Sequence, residues 1–296
     1  MKVAVGIDIG GTKVAVALIN ENGEIVSRSQ SPSQTASAES LYQGVVQLVD
    51  KVLNDNDLRI QDTYGIGVGL PGKVDVENGV AIFQNNIPWA NFPIVERLKE
   101  TYGDIPVKID NDVKVAAYAE YRLLNLKPTD MFGYVTVSTG IAATNIVNNT
   151  ILRGEGFSGE IGFVKVPYFE CLEALEVACS GVGIERTGRE IYEDETLTTK
   201  DIFDKWRSGE EAACRIIEET AMGLASVLHG MVCLLDPKTI VFGGSVSNYN
   251  PDFIELVKEE LAELLHHEQK HILEHIQAST IKGDNGIIGA GLLVIE

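Results

Sequence analysis

The sequence predicts an α/β protein of about two domains, with mostly parallel sheets, crossover helices and an antiparallel opening meander. Three observations carry this. The chain has 296 residues, 45% of them hydrophobic but only 7% aromatic, which is material for a large aliphatic core. Strand-like apolar runs alternate with helix-length segments. An opening strand, small-residue turn and second strand also recur after roughly 130 residues, the self-similarity expected of a duplicated module.

Taken in order, residues 3–19 are two apolar runs joined at Asp8-Ile9-Gly10-Gly11-Thr12-Lys13, and residues 24–26 follow the polar turn Asn20-Glu21-Asn22-Gly23. Residues 37–53 carry apolar positions at helical spacing, and 64–70 read as a buried strand ending at Pro71-Gly72. A helix over 92–102 precedes a short strand, 107–109, that delivers Asp110-Asn111-Asp112 to a helix over 113–124, with Asp112 at or near its N-cap. Polar residues 125–130, with Pro128, mark a domain junction. Residues 134–147 then repeat the first two strands around Ser138-Thr139-Gly140, and Asn148-Asn149-Thr150 stands where the first hairpin closed. A long helix over 210–235, a strand over 239–242 ending at Gly243-Gly244, a helix over 252–265 and a closing helix over 284–293 complete the chain.

Composition excludes several functions. A net charge of −19 disfavours nonspecific attraction to nucleic acid or anionic lipid, so a phosphate ligand must be held by amide dipoles, a lysine or a metal. No apolar run approaches the roughly 20 residues that span a bilayer, and Asp8 comes too early for a signal peptide, which places the protein in the cytoplasm without a membrane partner. Cys171, Cys179, Cys214 and Cys233 form no Cys-x-x-Cys pair and read as buried thiols. His267-Glu268-Gln269-Lys270-His271 matches a zinc-protease pattern. Lys270 lies between the two ligand positions, residues 261–275 read as a solvated surface helix, and no third ligand is marked.

The first turn is the strongest chemical signal. Paired glycines bring bare N–H groups up to an anion, and Asp8 can hold magnesium directly or through water. The structural alternative is a primed hairpin turn at Gly10-Gly11.

The ordered set Asp8-x-Gly10-Gly11-Thr12-Lys13, Gly69-Leu70-Pro71-Gly72, Asn86-Ile87-Pro88-Trp89, Asn111-Asp112, Ser138-Thr139-Gly140, Gly159-Glu160-Ile161-Gly162, Gly243-Gly244 and Gly286-Ile287-Ile288-Gly289-Ala290 resembles the ROK family of sugar kinases, of the actin-like ATPase superfamily, over essentially the whole chain. The resemblance implies two actin-like (ribonuclease H-like) domains around a central cleft, residues 1–118 with 281–296 and residues 119–280. It implies ATP-dependent phosphorylation of the primary (6-) hydroxyl of a hexose or hexose derivative, glucokinase-like or N-acetylmannosamine kinase-like, with ATP and magnesium as cofactors and a homodimer as the assembly. Asp112 then stands for the catalytic base, since a sugar hydroxyl needs a proton acceptor as it attacks phosphorus. Gly72, Asn86, Asn111, Asp112, Glu160 and Glu176 stand for the sugar-binding set, with Glu173 the alternative to Glu176. Gly10, Gly11, Thr12, Lys13, Thr139 and Gly140 stand for the phosphate loops, Gly243 and Gly244 for an adenosine-side turn whose missing side chains leave room for base or ribose, and Asp8 for the magnesium ligand.

Two departures modify the expectation. Ala142, Ala143 and Thr144 follow Gly140 where the family is glycine-rich; small Ala142 and Ala143 still permit close approach, while their added methyl groups are expected to cost nucleotide affinity. Phe163 occupies the place of a zinc-bound histidine, and Cys171 lacks the companion thiols, so no structural zinc is expected and an aromatic face is expected beside the sugar. The alternative function is a catalytically weak or inactive sugar-binding relative acting as a sensor or regulator.

Overall fold

A computed structural model of the chain describes residues 2–84, 86–281 and 283–295. The chain divides into two compact units, Met1–Leu126 with Gly283–Glu296, and Lys127–Lys282.

The first unit opens with the antiparallel meander β1 (Ala4–Ile9), β2 (Lys13–Ile19) and β3 (Ile25–Pro32). Helix α1 (Ala38–Asn54) starts at a capping box, in which Ser37 Oγ accepts from the Ser40 amide and the Ser40 hydroxyl accepts from the Ser37 amide. After β4 (Ile66–Leu70), three short strands, β5 (Lys73–Asp75), β6 (Val80–Phe83) and β7 (Ala90–Phe92), form a small antiparallel sheet that the sequence did not signal. Phe92 belongs to that sheet, so α2 (Ile94–Tyr102) begins two residues later than expected. Then come β8 (Val107–Asn111) and α3 (Asp112–Leu123). Strands β4 and β8 extend the meander in parallel, giving the order β3-β2-β1-β4-β8. Val5, Ile7 and Ile9 are buried, as are Ala4 and Gly6 on the opposite face, which is the signature of a sheet covered on both faces.

The second unit repeats this plan with β9 (Phe132–Val137), β10 (Ile141–Val147) and β11 (Thr150–Ile151). Asn148 and Asn149 close the last hairpin at φ 51° and 57°, the left-handed pair that a primed turn requires. A hairpin, β12 (Lys165–Tyr168) and β13 (Cys171–Ala174), leads into helices α4 (Leu175–Cys179), α5 (Gly181–Tyr192), α6 (Thr199–Arg207) and α7 (Glu211–Leu235). Strand β14 (Thr239–Gly243), helices α8 (Ser245–Tyr249) and α9 (Pro251–Leu264) and strand β15 (Ile276–Ala278) follow. The order β11-β10-β9-β14-β15 matches that of the first unit strand for strand.

By length and composition α7 alone among the described residues could cross a membrane, a longer apolar stretch than the sequence reading allowed. Ala213, Ile216, Ile217, Leu224 and Leu228 bury its apolar face in the core of the second unit.

Two expectations are corrected here. The division falls between residues 126 and 127 rather than after 118, because α3 runs unbroken across 118 and cannot be shared between units. Within the expected 281–296 return, Lys282 and Glu296 lie outside the described residues, as does Met1 at the other end. Residues 261–275 are not one helix: α9 ends at Leu264, and His267–His275 is a 3₁₀ turn. At about three residues per turn, His267 and His271 are separated by roughly 120° around the axis and do not share the face that the zinc-protease pattern needs. His271 Nδ1 lies 2.9 Å from the Glu268 carbonyl instead.

The chain returns to the first unit as α10 (Asn285–Leu293), which is inlaid on the sheet through glycines. A Cβ at Gly67 of β4 would lie 1.7 Å from the Ala290 carbonyl oxygen, one at Gly6 of β1 2.3 Å from that of Ile287, and one at Gly289 1.9 Å from that of Val115 on α3. Only residues without side chains permit this helix to reach the sheet backbone.

Candidate active site

In the first unit, β1 and α3 carry the two carboxylates. Asp8 lies at the end of β1, half-buried, and Asp112 is the first residue of α3 at the end of β8, also half-buried. Asp112 is not the N-cap. Asn111 is, its Oδ1 accepting from the Val113 and Lys114 amides at 3.0 and 3.4 Å. The Asn111 Nδ2 donates to the Gly72 carbonyl at 2.9 Å, so this side chain fixes both the start of α3 and the turn after β4. Gly72 itself, at φ 73°, would place a Cβ 2.3 Å from the Phe83 carbonyl.

Burial pushes the Asp112 carboxyl up to about 6, and the negative charge of Asp8 adds to this; the Val113 amide, 2.9 Å from Asp112 Oδ1, and the Lys114 charge oppose it. Burial likewise raises Asp8 above its ordinary value; Lys13 and Arg28 oppose this and Asp284 adds to it. Arg28 and Asp284 pair with each other at 2.6 Å. Two interacting carboxylates of the same unit, both resisting ionisation, mark a candidate functional site.

The β1–β2 turn is closed by the Gly10 amide donating to the Lys13 carbonyl at 2.9 Å. Neither Gly10 nor Gly11 takes a positive φ, so the primed-turn alternative does not hold. Gly11 is small for a different reason: a Cβ there would lie 2.6 Å from Asn86 Cβ, which brings the exposed Asn86 to the turn. Ser33, which the sequence reading missed, braces the same turn. Its hydroxyl donates to the Gly10 carbonyl at 2.5 Å and its amide to the Thr12 carbonyl at 3.0 Å. Thr12 and Lys13 are left exposed.

The matching turn of the second unit is Ser138-Thr139-Gly140, closed by the Ser138 amide donating to the Gly140 carbonyl at 2.9 Å. Ala142, Ala143 and Thr144 lie within β10 and not in this turn, so their side chains do not narrow it. The Ala143 amide donates to the Gly159 carbonyl at 2.7 Å, and a Cβ at Gly159 would meet the Ala143 carbonyl at 1.9 Å. Glu160 is exposed, just before a short 3₁₀ turn, and Phe163 at the end of that turn is 69% exposed. Glu176, on α4, turns to the Ile141 amide at 2.9 Å, while Glu173 lies on β13 opposite Val166.

A cavity of about 660 Å³ opens beside Thr139 in this unit, walled by Glu185, Thr199, Arg207, Ser245 and Tyr249. Except for Thr139, the sequence reading named none of these walls. They come from α5, α6 and α8, helices it did not assign. Gly243 and Gly244 immediately precede Ser245 of the cavity wall, and both are tightly packed. A Cβ at Gly243 would strike the Tyr134 hydroxyl at 1.9 Å, and Gly244, at φ 87°, would meet the Val137 carbonyl at 2.4 Å. Ser245, the next residue, lies 3.1 Å from Ser138 by its hydroxyl and joins the cavity to the turn.

Duplicated five-stranded sheets, each with a small-residue turn between its first two strands, are the plan of the actin-like ATPase fold, and one unit adds two half-buried carboxylates. Residues 4–296 match the ROK family, and the chain belongs to it. It is 27% identical to a glucokinase of Halalkalibacterium halodurans over 98% of this chain and 94% of that protein. It is 29% identical to an N-acetylmannosamine kinase of Haemophilus influenzae over 97% and 94%, and 24% identical to a xylose repressor of Caldicellulosiruptor bescii over 99% and 78%. Among solved structures, a ROK hexokinase from Thermus thermophilus superposes with a TM-score of 0.83 at 27% identity, covering 98% of this chain and 97% of that one. A ROK glucokinase from Streptomyces griseus, in complex with glucose and AMPPNP, gives 0.73 at 26% identity, covering 98% of both. The protein is a sugar kinase.

Proposed function

We propose that this kinase transfers the γ-phosphoryl group of ATP to the primary (6-) hydroxyl of a hexose or hexose derivative, with Asp112 as general base and Asp8 as the magnesium ligand. The observation that carries the reading is Asp112 itself, a carboxylate at the first turn of α3 whose pKa of about 6 matches the task of a base near neutral pH. Asn111 orients it through the α3 cap, and Gly72 and Asn86 supply neighbouring polar backbone and amide groups for hydroxyl recognition. The turns at Gly10–Lys13 and Ser138–Gly140 present backbone amides to phosphates, and the cavity beside Thr139 suits an adenosine.

Asp8 fits a hard cation. Burial disfavours its charged form, and the missing side chain of Gly286, where a Cβ would stand 3.1–3.3 Å from the carboxylate atoms, leaves room beside the oxygens. No cluster of three or more His, Cys, Asp or Glu could hold a metal among the described residues, so a magnesium ion at Asp8 would take its other ligands from water and phosphate. Bound magnesium neutralises phosphate charge.

ADP release over a panel of glucose, N-acetylmannosamine and β-glucosides tests the reaction, and no turnover on any sugar at high protein concentration would overturn it. Sugar binding without nucleotide binding would instead favour the sensor alternative. Because only ionised Asp112 accepts a proton, kcat/KM is expected to rise with pH to a plateau, with its midpoint near pH 6. A profile flat between about pH 5 and 7 would remove Asp112 from the base role. Asp8→Asn should raise the magnesium concentration needed for half-maximal rate while keeping an acid limb, moved to lower pH because the Asp8 charge that helps raise Asp112 is gone. An unchanged magnesium titration would show that Asp8 does not hold the metal.

A further inference from the structure

We infer that Glu176 is a positioning residue that clamps the second phosphate turn, a role resting on the proposed nucleotide reading and different from the sugar contact expected of it. Glu176 Oε2 accepts from the Ile141 amide at 2.9 Å, immediately after the turn. Five residues on, the Gly181 amide donates to the Ser138 carbonyl at 2.7 Å, immediately before it. The short helix α4 and the residue pair that follows therefore hold the Ser138-Thr139-Gly140 turn from both ends.

The glycines around the turn are shaped to this side chain. A Cβ at Gly140 would fall 2.5 Å from Glu176 Oε2, and one at Gly162 would fall 2.6 Å from the Ile141 carbonyl oxygen, with Glu176 Cβ at 3.0 Å and Oε2 at 3.3 Å. Neither glycine takes a positive φ, so backbone conformation does not explain either of them. The passage of the Glu176 side chain accounts for Gly140, and the Ile141 carbonyl together with Glu176 accounts for Gly162.

The clamp is itself anchored. The Leu175 amide at the start of α4 donates to the Val164 carbonyl at 2.8 Å. At the tip of the β12–β13 hairpin, the Phe169 amide donates to Glu219 of α7 at 3.0 Å, and the Arg215 guanidinium lies 4.7 Å from the Phe169 ring centre. A turn fixed in this way presents its amides to phosphate without reorganising when the ligand arrives.

Hydrogen exchange at the Ile141 amide, calorimetric binding of AMPPNP with magnesium, and steady-state kinetics with ATP and glucose test this in three variants. Glu176→Ala should speed Ile141 exchange and weaken AMPPNP binding and raise the KM for ATP by about tenfold, the scale of one lost charge-assisted hydrogen bond. The KM for glucose should stay within about twofold. Glu176→Gln keeps an acceptor at the same reach and should restore exchange and ATP affinity to within about threefold. Glu176→Asp keeps the charge but falls short, and should behave like Glu176→Ala. A raised KM for glucose with normal Ile141 exchange and normal AMPPNP binding would overturn the clamp and return Glu176 to the sugar. A Gln variant as impaired as the Ala variant would also overturn it. Wild-type protein that binds no AMPPNP would overturn the proposed function and this role together, whereas unchanged Ile141 exchange in Glu176→Ala would overturn this role alone.

Discussion

Asp112→Asn should lower kcat by roughly 10² to 10⁴ while leaving sugar affinity near that of the wild type, because the amide keeps the shape but cannot take up the proton. The same substitution should make the protein more stable at pH 7. The Asp112 carboxyl is raised to about 6 in the folded chain against an ordinary value of 3.8, so between these values the folded state binds more protons than the unfolded one. Stability contributed by this group is therefore full below about pH 4 and is lost as pH rises through 6. A neutral amide escapes that loss. Allowing for partial solvent screening at a half-buried group, the gain is of order 1 kcal/mol at pH 7 and vanishes near pH 4. Thermal denaturation of both proteins at the two pH values checks this. An Asn variant that keeps its activity would show that Asp112 is not the base, and one whose stability relative to wild type is the same at both pH values would show that Asp112 is not desolvated.

Gly67→Ala should be the most damaging single methyl in the first unit. The added Cβ would stand 1.7 Å from the Ala290 carbonyl oxygen and 2.6 Å from its carbon, so backbone must separate from backbone with no rotamer to relieve the clash. Overpacking of this kind costs about 3 kcal/mol or more, which for a chain this long lowers Tm by roughly 6–12 °C. Gly230→Ala is the control. Gly230 lies in α7 with nothing within 4 Å of the added carbon, and there the better helix propensity should stabilise by about 0.5–1 kcal/mol. If Gly67→Ala melts with the wild type, α10 is not seated against β4 as described.

Both the duplication and the placing of Asp8 and Asp112 at strand ends were legible in the sequence, for different reasons. Strong apolar runs with a small-residue turn between them admit few alternatives, so β1–β2 and β9–β10 could be read directly and their later sheet partners inferred. Asp8 and Asp112 stand at strand ends, where a carboxylate following a hydrophobic run is conspicuous. What was hidden depends on contacts made by short or polar segments. Strands of three or four residues such as β5 to β7 bear no measurable periodicity. The cap at Asn111 rather than Asp112 is decided by backbone geometry that two neighbouring capping residues share equally well in sequence. The reasons for Gly11, Gly140 and Gly243 lie in Asn86, Glu176 and Tyr134, each far along the chain, and so a sequence reading attributes such glycines to ligands or turns.

The inlaid helix α10 has a consequence for how the protein is made. Its Asn285 donates to the buried Glu120 at 2.7 Å across a separation of 165 residues. On a ribosome adding about 5–20 residues each second, the stretch from Glu120 to Asn285 alone takes roughly 8–33 s, so the first unit's sheet waits at least that long for the helix that covers its glycine-lined face. Over that interval the intervening unit, contiguous in sequence, has all its own strands and can fold behind it. The earlier unit stays exposed, and its apolar sheet is the surface that a chaperone would be called on to shield.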